Sequence, residues 1–248
     1  MERWPNLPDR LEIGLERTFQ LLEKFQAKAT FFVLGYFAQN RPELIRRIIQ
    51  RDYETGSHGF YHRLVYRQTR EEFAHDLQAS LEALSPLKNG PVLSYRAPEW
   101  SVREDWMFEE LQSRGILYDS SLYPVPGLGN PQKSYYPHLI PAGKEKIWEF
   151  PPLVQPFFWG NLPLGGGLPL RMIPYPFLKK RIETLNRQGI PAVIYFHPWE
   201  LDTDIPRMNL FSLRGIAHYA GLSQTNKKLE TLLGDFQFTG LEEWAKKT

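Results

Sequence analysis

Between Leu11 and Tyr118, short apolar runs alternate with amphipathic helical stretches, and this alternation narrows the fold more than any other feature of the chain. Leu11, Leu15, Phe19, Leu22 and Phe25 recur at helical spacing, with Asp9 as a cap. Residues 29–35 form an apolar run ending in glycine, which predicts a strand buried on both faces. A helix over 42–51 places Leu44, Ile45, Ile48 and Ile49 on one side, and 53–57 reads as a short strand. Thr69-Arg70-Glu71-Glu72 has the capping-box pattern and opens a helix to about Leu84. A strand over 92–96, a helix over 105–114 ended by Gly115, and a strand from Ile116 follow. Such alternation argues for parallel strands with helices outside them, as a barrel or an open sheet.

From 120 to 174 the pattern breaks down. Prolines and glycines interrupt it, only 146–150 reads as a strand, and Gly165-Gly166-Gly167 reads as a flexible turn. Long irregular segments inside compact domains often serve as lids or groove walls. Regularity returns with a helix over 176–187, a strand over 192–196 ending at His197, and a helix over 225–233. The whole reads as a single domain over 1–248, with 201–248 as a C-terminal helical extension.

Charge and cysteine content exclude several function classes. The 30 basic and 28 acidic side chains leave a net charge of +2, which gives no electrostatic case for nucleic acid or an anionic membrane. With no cysteine, disulfides, zinc–thiolate sites and a cysteine nucleophile are ruled out. No apolar run reaches signal-peptide length at the start or the ~20 residues of a membrane span, so the default expectation is a cytoplasmic protein with no membrane span. The 7 tryptophans fit either an aromatic-lined groove or an ordinary core.

The chemistry concentrates at the carboxyl ends of the expected strands, the edge where α/β sites assemble. Ser57-His58-Gly59-Phe60-Tyr61-His62 puts two imidazoles four residues apart, a spacing that reaches one metal ion from the same side of a helical turn. Neutral imidazole suits Zn, and also Fe, Co or Ni. His197, within Phe-His-Pro-Trp-Glu, reads as a general acid for a leaving amine or as a core histidine capping a strand. Arg96 reads as a bidentate orienter of a carboxylate, or as a structural partner of Glu99 or Asp119. Asp119 precedes Ser120-Ser121 and reads as a turn residue or as a holder of an imidazole tautomer. His75, His138 and His218 read as surface residues. A serine-nucleophile elbow is absent.

Four motifs taken together resemble the polysaccharide deacetylases with the NodB-homology domain: Ser-His-Gly-Phe-Tyr-His (57–62), Tyr-Arg-Ala-Pro (95–98), Tyr-Asp-Ser-Ser (118–121) and Phe-His-Pro-Trp-Glu (196–200). The exopolysaccharide-associated bacterial branch is the closer likeness, through Leu-Val-Tyr-Arg-Gln-Thr (64–69) and the Asn-Leu-Pro to Gly-Gly-Gly stretch (161–167). The resemblance implies an α/β fold, a distorted (β/α)7-type barrel, and metal-dependent removal of N-acetyl groups from amino sugars of a polysaccharide. It implies His58 and His62 as ligands of a divalent metal (Zn first; Co, Ni or Fe otherwise), Arg96 as orienter of the catalytic base, Asp119 as tuner of the acid, and His197 as the acid. Trp100, Trp199 and Tyr95 would line the saccharide groove, with no nucleic-acid partner.

One element of that family's pattern is not found. Its first strand carries an Asp-x-x-Asp-like element that supplies the base and a third ligand, and no Asp pair precedes Ala29. Three readings follow: a natural protein longer at its start, an impaired member that binds saccharide or a partner, or a substitute carboxylate such as Glu99 or Glu200. A small-molecule amide hydrolase of the same fold is a further alternative.

Overall fold

The computed structural model describes residues 10–127, 129, 133–206, 215 and 218–247; the expected cap Asp9 lies outside them. Helix α1 (Leu11–Lys24) leads into β1 (Thr30–Val33), α2 (Gly35–Asn40), α3 (Pro42–Gln50) and β2 (Glu54–Ser57). Helix α4 (Arg70–Lys88), β3 (Ser94–Tyr95), α5 (Trp106–Ser113) and β4 (Tyr118–Asp119) complete the alternating half. The capping box at Thr69 forms as expected, and α4 runs on through Pro86 until Asn89 turns left-handed.

Strands β1 to β4 lie side by side in parallel, followed by β6 (Glu145–Glu149) in parallel and β5 (His138–Ala142) antiparallel at the far edge. Val33, Ser57, Tyr95, Asp119 and Glu149 pair in one register row across the five parallel strands. Among the described residues β1 has a strand partner on one side only. Three of its four residues are therefore half-buried, rather than covered on both faces as expected.

Residues 120–174 are more ordered than their prolines suggest. Besides the β5–β6 hairpin they hold a second hairpin, β7 (Val154–Phe157) with β8 (Gly160–Pro163), and helix α6 (Gly167–Met172). The triple glycine is not a flexible turn. A Cβ on Gly166 would stand 2.3 Å from the Tyr195 carbonyl oxygen, so glycine is required there by close backbone approach. The expected strand at 192–196 forms no ladder. Its backbone instead accepts at Val193 from Leu153 (2.9 Å) and donates from Tyr195 to Gly165 (2.7 Å).

Helix α7 (Tyr175–Asn186) is followed by a 3-10 turn at Pro198–Leu201, then α8 (Leu222–Asp235) and α9 (Leu241–Ala245). These last helices pack into the body. Leu229 and Leu232 of α8 join Leu21, Leu178 and Ile182 in one apolar cluster. The amides of Glu242 and Glu243 donate to the Glu54 carboxylate at the start of β2.

Helix α1 clamps the turn that follows His197. Arg10 makes two bonds to buried Asp202 (2.6 and 2.8 Å), and Arg17 donates to the Leu201 carbonyl (2.7 Å). Gly14 sits mid-helix because a Cβ there would lie 2.6 Å from the Pro198 carbonyl oxygen. Gly14→Ala sets a helix-propensity gain of about 1 kcal/mol against an overpacking cost of about 1–3 kcal/mol. The contact is with backbone that cannot rotate away, so urea denaturation should show the variant less stable than the parent.

Candidate functional site

The register row decides which way the site residues face. Side chains alternate across a strand, so Ser57, Tyr95, Asp119 and Glu149 point one way, and His58, Arg96 and Ser120 the other. Ser57 and Tyr95 of the first set meet helix α4. The Ser57 hydroxyl shares a hydrogen bond with Ser80 of α4 (2.8 Å), and the Tyr95 ring packs edge-on against Phe73 of α4. Tyr95 is buried in the core, and its side chain lines no groove.

Asp119 is fully buried and accepts from the Ser121 amide (3.1 Å) and hydroxyl (2.6 Å). Glu149, its register partner, accepts from the Leu122 amide (3.0 Å). Burial, and then the neighbouring Asp119, push the Glu149 carboxyl well above the usual range. Asp119 therefore pins the chain where it leaves β4, and the expectation that it holds an imidazole is corrected.

The His58–His62 segment is a loop rather than a helical turn, with His62 at φ 57°. Helix α4 shapes it: the Phe60 amide donates to Asp76 (2.7 Å) and the Gly59 amide to Ser57 Oγ (3.2 Å). The two imidazoles still meet, edge to face, with centroids 5.0 Å apart. His58 Nδ1 lies 2.6 Å from the Arg96 carbonyl. A carbonyl only accepts, so Nδ1 carries the hydrogen and Nε2 keeps its lone pair. Burial, then His62, lower the His58 pKa to about 3, with Arg96 and His197 contributing. His62 is lowered by burial, raised by Glu99 and lowered again by His197. Arg96, whose carbonyl meets His58, reaches the Tyr195 ring (5.6 Å), and that ring lies 6.0 Å from the His197 ring. Glu99 and Trp100 both adopt left-handed backbone (φ 51° and 50°), an uncommon pair for residues with side chains.

Arg96 donates through Nε to the Ser120 carbonyl (3.1 Å) and through Nη2 to Ser120 Oγ (2.6 Å), and its guanidinium lies 4.5 Å from the Phe32 ring centre. Burial lowers its pKa to about 10, still charged at neutral pH. Among the described residues no carboxylate forms an ion pair with it, Glu99 and Asp119 included.

His197 is held by a residue that sequence reasoning offered only as a substitute metal ligand. Glu200, 1% exposed, accepts from His197 Nδ1 (2.8 Å) and from the His197 amide (3.0 Å). Buried Arg171 of α6 stands 3.6 Å behind the second Glu200 oxygen, with its guanidinium 5.6 Å from the Trp199 ring centre. Lys228 of α8 caps the end of α6 at the Leu170, Arg171 and Ile173 carbonyls. The i,i+3 spacing of His197 and Glu200, with proline between, was the signal available in the sequence. Tyr195, also missed, contacts Arg96, Trp100 and His197 through its ring. His218 is exposed, as expected of a surface residue, and stacks on Trp199 at 4.1 Å.

Metal-bound histidines usually donate their other ring N–H to a carbonyl or carboxylate, as His58 does here. The His58–His62 pair thus fits two positions of a divalent ion's shell. No group of three His, Cys, Asp or Glu suited to a metal occurs among the described residues, so the shell is not completed by them. Asp76→Ala should remove the acceptor that shapes the loop, lowering stability by about 1–3 kcal/mol and shifting the His58 and His62 resonances in an NMR spectrum.

The polysaccharide deacetylase pattern matches residues 12–116, and a domain of unknown function, DUF3473, matches residues 120–246. A peptidoglycan deacetylase of Helicobacter pylori is 29% identical over 111 residues, covering 45% of this chain and 38% of that protein. The chain spans well under half the length of that relative. Among solved structures, a Mycobacterium smegmatis protein assigned to the polysaccharide deacetylases superposes with a TM-score of 0.62 at 22% identity, covering 94% of this chain and 76% of that one. An allantoinase gives a TM-score of 0.66 at 16% identity, covering 94% and 71%. These two likenesses establish a distorted-barrel α/β fold.

Proposed function

The chain belongs to the polysaccharide deacetylase family, and on that premise we propose that it removes N-acetyl groups from amino sugars of a bacterial exopolysaccharide. The observation carrying this reading is the His197–Glu200 pair (2.8 Å) beside His58 and His62. Protonated on both nitrogens, His197 donates Nδ1–H to Glu200 and carries a deliverable proton on Nε2 for the leaving amine. Glu200 stabilises that imidazolium and fixes the ring, and Arg171 stands behind Glu200 at 3.6 Å. Arg96 offers a fixed positive charge on the same rim for a carboxylate.

His58 and His62 offer neutral donors to a divalent ion, zinc first; such an ion, when bound, polarises the acetyl carbonyl. Trp100 and Trp199 are the aromatic surfaces offered to sugar rings. The Trp100 indole N–H is buried with no acceptor among the described residues. The exopolysaccharide assignment rests on the 64–69 and 161–167 motifs.

A second reading, saccharide binding without turnover, is favoured by the incomplete donor set at His58 and His62. Acetate release from N-acetylated oligosaccharides separates the two. Hydrolysis predicts release that falls about 10²–10⁴-fold in His197→Ala and that chelation reduces. Glu200→Gln should lower kcat with KM little changed. Glycan binding without acetate would establish the second reading, and activity surviving both chelation and His197→Ala would overturn the first.

A further inference from the structure

Among the described residues, the tip of the β7–β8 hairpin carries the most exposed large apolar side chains. Phe158 is 95% exposed and Trp159 is 67% exposed, with Phe157 and Leu162 also on the surface. Phe157 and Trp159 stack on one another (4.8 Å, 4° between planes), and Phe158 meets Trp159 edge-on (4.4 Å). The hairpin is a two-stranded sheet of its own, paired with no other strand among the described residues. Residues 150–170 contain no Asp, Glu, Lys, Arg or His. Exposed apolar clusters of this kind mark interaction sites.

The chemistry of the tip selects among occupants. A sugar-binding surface needs donors and acceptors for hydroxyl groups beside its aromatic faces, yet the three tip side chains carry one polar atom between them, the Trp159 indole N–H. The hairpin's amides are turned to backbone: Gln155 donates to the Pro156 carbonyl (3.0 Å) and Asn161 to the Pro124 carbonyl (2.6 Å). A protein interface would ring the aromatic centre with polar groups, and here the surrounding chain is uncharged.

Basic charge lies at the hairpin's base instead. Arg181 of α7 donates from Nε to the Val154 carbonyl (3.1 Å). Val154 is three residues below Phe157, roughly 10 Å along the strand. Phe177, one helical turn before Arg181, is exposed on the same side of α7. Aromatic residues at a tip with arginine set back by that distance match the depth at which amphipathic elements sit at the headgroup–acyl boundary, about 5–10 Å.

We propose that this hairpin is a peripheral membrane-docking element, inserting Phe158 and Trp159 into the bilayer interface with Arg181 at headgroup level. No helix among the described residues is long and apolar enough to cross a membrane, and docking of this kind requires none. The hairpin is tied to the site's rim. Asn161 holds Pro124, and the neighbouring Tyr123 packs on Trp100 (4.7 Å), which packs on Tyr195 (4.8 Å).

Flotation of the full chain with phosphatidylcholine vesicles, with and without phosphatidylglycerol, tests the proposal without reference to hydrolysis. The parent protein should float with both vesicle types. Its binding should depend weakly on salt, since the net charge is only +2. The double substitution Phe158→Ser, Trp159→Ser should weaken binding at least about tenfold with an unchanged melting curve, because both side chains are exposed. A parent protein that does not float, or a double variant that floats equally well, overturns the proposal. If the parent ignores vesicles while the double variant loses self-association, or loses oligosaccharide affinity, the tip serves a protein or a glycan and the proposal is likewise overturned.

Discussion

The in-register row of Val33, Ser57, Tyr95, Asp119 and Glu149 is the constraint on which the rest of the site depends. Strand alternation leaves no freedom once that register is set: each residue of the row faces one way, and the residue after it faces the other. The row supplies the support: the hydroxyl of Ser57 on α4, the Tyr95 ring in the core, the buried carboxyls of Asp119 and Glu149. The following residues, His58, Arg96 and Ser120, supply the site edge. A slip of one residue would exchange the two sets and turn His58 and Arg96 away from the site edge.

Two further devices bring His197 to that edge without a regular strand. The Gly165–Gly166 backbone approaches 193–195 closely enough to replace a ladder. Helix α1, through Gly14, Arg10 and Arg17, presses on the turn at Pro198–Leu201. Glu200 is buried by the same packing and faces the imidazole with Arg171 behind it. Its desolvation is offset by two donors, the His197 ring and amide, and by the ion pair with the guanidinium at 3.6 Å. The C-terminal helices belong to this machinery as well, since Lys228 fixes the end of the helix that carries Arg171.

Much of this was legible in the sequence. Helical spacing located α1, α3, α4, α5 and α7, because each buries a broad apolar stripe. The motifs placed His58 and Arg96 at strand ends, where the structure has them, whereas the segment before His197 forms no ladder. The facing of Tyr95 and Asp119 was not legible, since β3 and β4 are two residues long and too short for an alternation pattern to show. The hairpins at 138–163 were hidden by prolines, which sit in or beside strands here because both hairpins lie at sheet edges. Glu200 was weighed only as a metal-ligand substitute; its role depends on a 3-10 turn that folds the carboxylate back over three residues.

The central claim is that backbone and carboxylate acceptors preset the imidazoles, leaving Nε2 of His58 and His197 facing one site. A long-range proton–nitrogen correlation spectrum of the metal-free protein at neutral pH tests it directly. The account predicts His58 as the neutral Nδ1–H tautomer, a hydrogen-bonded Nδ1–H on His197 that is lost in Glu200→Ala, and zinc perturbing His58 and His62 together. A His58 ring protonated on Nε2, or a His197 signal indifferent to Glu200, would contradict it.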